Sequence, residues 1–241
     1  MQHADYEIYE GLRLPLRRSN KALNDNAAYL ASIREQIGHV RPFLSPDCRI
    51  LDFGCGQGRL LNGLLHQRLP FGAYIGVDVD PRAVAWCCTH LSHSGAHCSF
   101  YWYNYANARY NKSGIDTFSL PLQAGGIDLV FSNSVFTHLD KPDIAVTARG
   151  LLPLLRPGGR LYVTAFVERD VPEITINPEG YLGSKGAEDT ALHWVRYNYD
   201  FFVATLEKEG FRHHAPQRLE AQRIPRSGQH WLFFEKPAEA C

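Results

Sequence analysis

The stretch RILDFGCGQGRLLNGL, Arg49 to Leu64, constrains this 241-residue chain more than any other. A short apolar run ends in three glycines at alternate positions, Gly54, Gly56 and Gly58, and passes directly into an amphipathic run. A strand that turns at once into a helix is the opening half of a strand–helix–strand unit. The glycines remove side chains where the backbone turns tightly or a ligand approaches it. The pattern then repeats. AYIGVDV (73–79) reads as a strand, followed by a helix from Pro81, whose fixed φ suits a helix start. CSFYWYNY (98–105), GIDLVFSNS (126–134) and RLYVTAF (160–166) are strand-like. DIAVTARGLLPLLRPGG (143–159) and NYDFFVATLEKEGF (198–211) are helical, the second ending at Gly210. RHHAPQRLEAQ and GQHWLFFEK have no helix between them and read as an antiparallel edge pair. The alternation predicts an α/β fold with a doubly wound, mostly parallel seven-stranded sheet and an antiparallel edge hairpin.

Apolar residues at helical spacing from Asn20 to Phe43 predict an N-terminal helical cap over residues 1–45, ahead of a main domain over 46–241. Residues 167–198 form a turn-rich insertion long enough to lid a site. Twenty-five basic residues balance 25 acidic ones, which argues against a sequence-independent nucleic-acid binder, since that needs a basic face to neutralise phosphates. The basic segment Gly11–Lys21 reads as a solvated surface. There is no apolar run of membrane-spanning length and no signal-peptide core at the start, so a cytoplasmic location is expected. Six cysteines without a C-x-x-C pair predict free thiols, with no structural zinc or disulfide framework.

In open parallel sheets, ligands bind outside the carboxyl ends of the strands, where DFGCGQG lies. The helix that follows offers free N–H groups and a positive dipole end to an anion. Asp78 ends the second strand 20 residues after Gly58, placed to accept from both hydroxyls of a ribose. These two signals together predict a nucleoside cofactor. The dinucleotide fingerprint is G-x-G-x-x-G, but here Arg59 stands at the third glycine's position. Asp52, two residues before the first glycine, repels a pyrophosphate and attracts an ammonium. The turn therefore favours an amino-acid-like tail carrying both charges.

Four stretches, ILDFGCGQGRLL (50–61), YIGVDVDP (74–81), GGIDLVFSNSVFTHL (125–139) and LLPLLRPGGRLYVTAF (151–166), together resemble the class I S-adenosylmethionine-dependent methyltransferases. They keep that family's order and spacing and cover most of residues 48–166. The resemblance implies a Rossmann-like methyltransferase fold and S-adenosyl-L-methionine as cofactor. It implies Asp52, Gly54, Cys55 and Gly56 around the methionine moiety, Asp78 on the ribose and Val79 against the adenine. The adenine-amine position falls at Asn104 or, with a one-residue slip, Tyr105; an amide stands at 104 where the family usually has an acid. Ser132 and Asn133 would approach the sulfonium. The D/N-P-P-Y/F tetrad of nucleic-acid base N-methyltransferases is missing.

His138 is the candidate general base, since its ordinary pKa suits proton transfer near neutrality; the alternative is that it only orders its loop. Tyr9 and Arg17 in the N-terminal segment, and His193, Trp194 and Tyr197 in the insertion, are candidate substrate contacts. The aromatic ones read equally well as pins holding the insertion. The expected function is methyl transfer to a small molecule, a natural product, glycan or metabolite, at oxygen rather than nitrogen. Neither a metal nor a nucleic-acid or membrane partner is expected, and the chain is expected to be a monomer or homodimer. The alternatives are a nicotinamide-dependent oxidoreductase, a non-catalytic cofactor-binding module, and a methyltransferase of nucleic acid or protein.

Overall fold

A computed structural model describes residues 5–18, 23–92, 97–107, 110–179, 192–215, 219–224 and 227–238. The chain divides into two compact units, Met1–Tyr103 and Asn104–Cys241.

The first unit opens on an antiparallel hairpin, β1 (Tyr6–Tyr9) and β2 (Leu12–Pro15), turned by Glu10 and Gly11 at positive φ. The expected cap thus carries its helix, α1 (Asn26–Val40), but begins as a hairpin. The difference has a sequence origin: YEIYEGLRLP alternates with a period of two around a Gly turn, a strand pattern that the helical reading of 20–43 did not extend to. Asp25 caps α1 by accepting from the Ala28 N–H at 2.7 Å. α1 packs on α2 (Arg59–His66). Gly63 permits the close approach, because a Cβ there would lie 2.7 Å from the Ile33 side chain and 2.9 Å from that of Ile37. Three parallel strands follow in the order β3 (Arg49–Phe53), β4 (Ala73–Asp78) and β5 (Cys98–Trp102). Ile50, Leu51, Tyr74 and Val77 are wholly buried, since these strands are covered on both faces. Asp80 caps α3 (Pro81–His90), and Pro81 occupies its first turn as read from the sequence.

In the second unit β6 (Ile127–Ser132) runs parallel to β7 (Leu155–Glu168), which pairs antiparallel with β11 (His230–Glu235). β10, only Arg212–His213, pairs antiparallel with β11 and completes the expected edge pair. These four strands and the three of the first unit are the seven read from the sequence. Helix α4 (Lys141–Leu151) joins β6 to β7, and α5 (Tyr199–Lys208) packs Phe202 on Phe136, Tyr197 and Phe234. The expected turn-rich insertion contains two more strands. β8 (Ile174–Ile176) pairs antiparallel with β9 (Val195–Asn198), and β9 runs parallel to the end of β7. Residues 180–191 of the insertion lie outside the described residues.

Candidate functional site

The glycine turn of the first unit is built around Asp78. Gly54, Gly56 and Gly58 all take positive φ, at 84°, 52° and 73°, so the turn needs their lack of a Cβ. One Asp78 carboxylate oxygen accepts from the Gly56 N–H at 2.7 Å and the other from the Asp80 N–H at 2.8 Å. Burial raises the Asp78 carboxyl above its usual range, and these N–H donors pull it back down. Each oxygen keeps acceptor capacity beyond its backbone bond, which a ribose diol requires.

Three further amides of the turn are bonded to backbone carbonyls. Gly54 N and Cys55 N both donate to the Val77 carbonyl, at 2.8 and 2.9 Å, and Gly58 N donates to Cys55 O at 3.0 Å. Gly58, the N-cap of α2, supplies no side-chain acceptor. Asp52 is buried at the end of β3 and accepts from the Tyr74 hydroxyl. Burial pushes its carboxyl up to about 7, against the pull of Tyr74 and Arg59. The Cys55 thiol is buried against Cys87, and their sulfurs lie 3.5 and 3.4 Å from the Gly56 carbonyl. Bonding to Cys87 and burial hold the Cys55 thiol well above its usual range, so it is a neutral packing group.

Val79 follows Asp78, and its carbonyl accepts from the Trp102 indole N–H at 3.1 Å. Trp102 is half exposed, so its ring offers a stacking face next to Val79. Sequence reasoning did not single it out; the aromatic run CSFYWYNY was the available signal. The N-terminal segment also reaches the turn, through the Gln57 amide, which donates to the Arg17 carbonyl at 2.9 Å. Tyr9 is partly exposed on β1 and pairs with Leu12.

In the second unit, His138 closes a short 3-10 turn after β6. Its Nδ1 lies 3.0 Å from the Leu192 carbonyl, and the edge of its ring meets Tyr110 at 5.6 Å between centroids. A carbonyl only accepts, so Nδ1 carries a proton here. Leu192 belongs to the insertion, which thereby orients the imidazole. Tyr110 is another residue the sequence reading passed over.

Asn104 Oδ1 accepts from Asn111 Nδ2 at 3.0 Å, so the amide at this position is tied into its own loop. The Tyr105 hydroxyl donates to Asp143 at 2.6 Å, which fixes it to α4. Ser132 is fully buried, and Asn133 Oδ1 accepts from the Thr164 hydroxyl at 3.3 Å. The insertion's aromatic residues divide. Tyr197 is wholly buried, and its hydroxyl donates to the carbonyls of Phe136 and Leu139, at 2.5 and 2.6 Å. Its place is therefore in the core, corrected from the expected substrate contact, because β9 alternates Val195 and Tyr197 inward. Trp194 packs on Phe166, and Asn177 Oδ1 accepts from the backbone N–H groups of both His193 and Trp194, at 3.0 and 3.2 Å. Among the described residues no group of three or more His, Cys, Asp or Glu is arranged to hold a metal.

Residues 51–161 match the model of a methyltransferase domain family. An arsenite methyltransferase of Aquipseudomonas alcaligenes is 32% identical over 164 residues, covering 67% of this chain and 45% of that protein. A ribosomal protein L11 methyltransferase of Ralstonia pickettii is 34% identical over 134 residues, covering 54% of this chain and 36% of that protein. The chain thus spans less than half the length of these curated relatives. Among solved structures, Burkholderia thailandensis 1,6-didemethyltoxoflavin-N1-methyltransferase, with bound 1,6-didemethyltoxoflavin and S-adenosylhomocysteine, superposes with a TM-score of 0.56 at 16% identity. That match covers 90% of this chain and 81% of the other, and shows a shared fold of mostly parallel strands flanked by helices.

Proposed function

We propose that this chain is a class I S-adenosylmethionine-dependent methyltransferase and that it transfers the cofactor's methyl group to an oxygen of a small molecule. The observation that carries the cofactor half is the Asp78 clasp: a carboxylate at the carboxyl end of β4 that organises a glycine-rich turn through Gly56. Those residues fit the cofactor. Asp78 would hold the ribose, the glycine turn would pass the tail, and Val79 with Trp102 would flank the adenine. S-adenosylmethionine supplies, when bound, a methyl group already activated by its sulfonium, so the chain's task is alignment and exclusion of water.

His138 supports oxygen as the acceptor. A neutral hydroxyl must lose its proton as it attacks, and His138, whose ring is oriented by the Leu192 carbonyl, is the residue we assign as base for that proton. A small acceptor agrees with the names of the arsenite and toxoflavin enzymes. The L11 relative keeps methylation of a protein as the second reading.

Incubation with methyl-deuterated S-adenosylmethionine, against metabolite fractions and against whole-cell protein, separates the two. The proposal expects the label on an oxygen of a small molecule. Label confined to protein would favour the second reading, and label in neither would favour a non-catalytic module. With an acceptor in hand, His138→Gln should lower kcat by about 100-fold or more with cofactor affinity unchanged, the range expected for loss of a general base. Unchanged kcat would leave His138 the loop-ordering role.

A further inference from the structure

We infer that Cys55 and Cys87 are a thiol pair that hydrogen peroxide closes to a disulfide, and that this disulfide shuts the glycine turn to the cofactor. The second half rests on the S-adenosylmethionine reading above; the first does not.

Two elements of the first unit bring the pair together. Cys55 lies in the turn between β3 and α2, and Cys87 on the buried face of α3. Both thiols converge on one oxygen: the Gly56 carbonyl is 3.5 Å from the Cys55 sulfur and 3.4 Å from that of Cys87. The two thiols also hydrogen-bond to each other. Gly58 lets α3 come this close, since a Cβ there would lie 2.3 Å from a Leu91 methyl and 3.5 Å from the Cys87 sulfur. The neighbouring Cys88 is exposed instead.

Gly56 couples the pair to the cofactor turn. Its N–H donates to Asp78 at 2.7 Å, while its carbonyl receives the two thiols. A disulfide carries no S–H, so closing it takes both donors from that carbonyl. It also draws the two sulfurs to about 2.0 Å, which pulls Cys55 toward α3. The residue that Asp78 clasps is then released on one side, next to a neighbour that has moved. A turn whose backbone must meet a ligand loses affinity through such a shift.

The chemistry balances with peroxide as the oxidant. One sulfur, as its thiolate, takes an oxygen from hydrogen peroxide, giving a sulfenic acid and one water. The second sulfur attacks that sulfenic sulfur, forms the S–S bond and releases a second water. The pair gives up two electrons to the peroxide. A small oxidant suits a buried pair that a bulky disulfide cannot reach. The bond to Cys87 and burial hold the Cys55 thiol protonated, which keeps the pair reduced until oxidant is present.

The test treats reduced wild type, Cys87→Ser and Cys88→Ser with hydrogen peroxide, then alkylates and digests them. Mass spectrometry reads the linkage, and calorimetry reads S-adenosylhomocysteine affinity before treatment, after it and after dithiothreitol. The expected result is a Cys55–Cys87 linked peptide in wild type and in Cys88→Ser. Affinity should fall about tenfold or more on linkage, a change of ~1.4 kcal/mol, and return with dithiothreitol. The affinity of Cys87→Ser should not change on peroxide treatment, whatever its starting value. No linked peptide under excess peroxide, linkage through Cys88, or a linked protein that binds as tightly as the reduced one would overturn the inference. So would an equal loss in Cys87→Ser. Reduced wild type that binds no S-adenosylhomocysteine would overturn the cofactor reading and the shutting of the turn with it, while the linkage stands or falls on the mass spectrum.

Discussion

Asp78 commits one carboxylate oxygen to Gly56 and the other to Asp80, so the side chain that shapes the turn is also the one placed for the ribose. Asp78→Ala should therefore weaken S-adenosylhomocysteine at least about tenfold by calorimetry, since charge-assisted hydrogen bonds are worth about 1.5–3 kcal/mol each. Unchanged affinity would remove Asp78 from the site. Asp52 makes a second prediction at this scale, about stability. Unfolded, its carboxyl titrates near the ordinary 3.8; folded, burial pushes it up to about 7. Between those values the folded chain holds a proton that the unfolded chain has released. Its contribution to stability is therefore full below pH ~4, falls as pH rises, and is gone above pH ~7, a change of up to ~4 kcal/mol. Asp52→Asn does not titrate, so its unfolding free energy, measured by denaturant at a series of pH values, should fall less steeply across that window. Parallel curves for the two proteins would show that Asp52 titrates normally.

The insertion is the element whose behaviour the sequence left most open. Its ends are strands: β9 lies against β7 and β8, and Tyr197 is locked to Phe136 and Leu139. Hydrogen exchange should find 195–198 protected in the free protein, while 192–194, beside His138, gain protection only with cofactor and acceptor bound. Full protection of 192–194 without ligands would make the insertion a fixed structural piece. Asn177 ties it together, with φ at +46° and its side chain accepting from two backbone N–H groups. Asn177→Gly keeps the backbone angle but removes the one oxygen that accepts both bonds. It should destabilise the fold by about 1–3 kcal/mol in denaturant melts and speed exchange at 193 and 194. Trp194→Ala should raise KM for the acceptor without changing cofactor affinity.

The strand–helix alternation, the glycine turn and Asp78 were legible because each has a local signature: a period, a φ requirement, a spacing from Gly58. The β8–β9 pair was not, because β8 is three residues long and β9 is defined by its partner strand rather than by its own alternation. Gln57–Arg17 and His138–Leu192 join positions 40 and 54 residues apart, and no local pattern announces such contacts. Tyr197 read as a substrate contact because an aromatic residue in a loop and one in a strand look alike until the strand's pairing is known.

At the scale of the whole chain, the family match over 51–161 and the fold agree with the sequence reading, while the N-terminal hairpin and the insertion lie outside that span. His138 falls within the match but is oriented by Leu192 of the insertion. No described helix is long and apolar enough to cross a membrane. Cofactor identity is read by calorimetric titration of the chain with S-adenosylhomocysteine and NAD in separate runs. A saturable one-site isotherm with S-adenosylhomocysteine and no response to NAD is the expected result. Saturable binding of NAD, with no heat from S-adenosylhomocysteine, would contradict it.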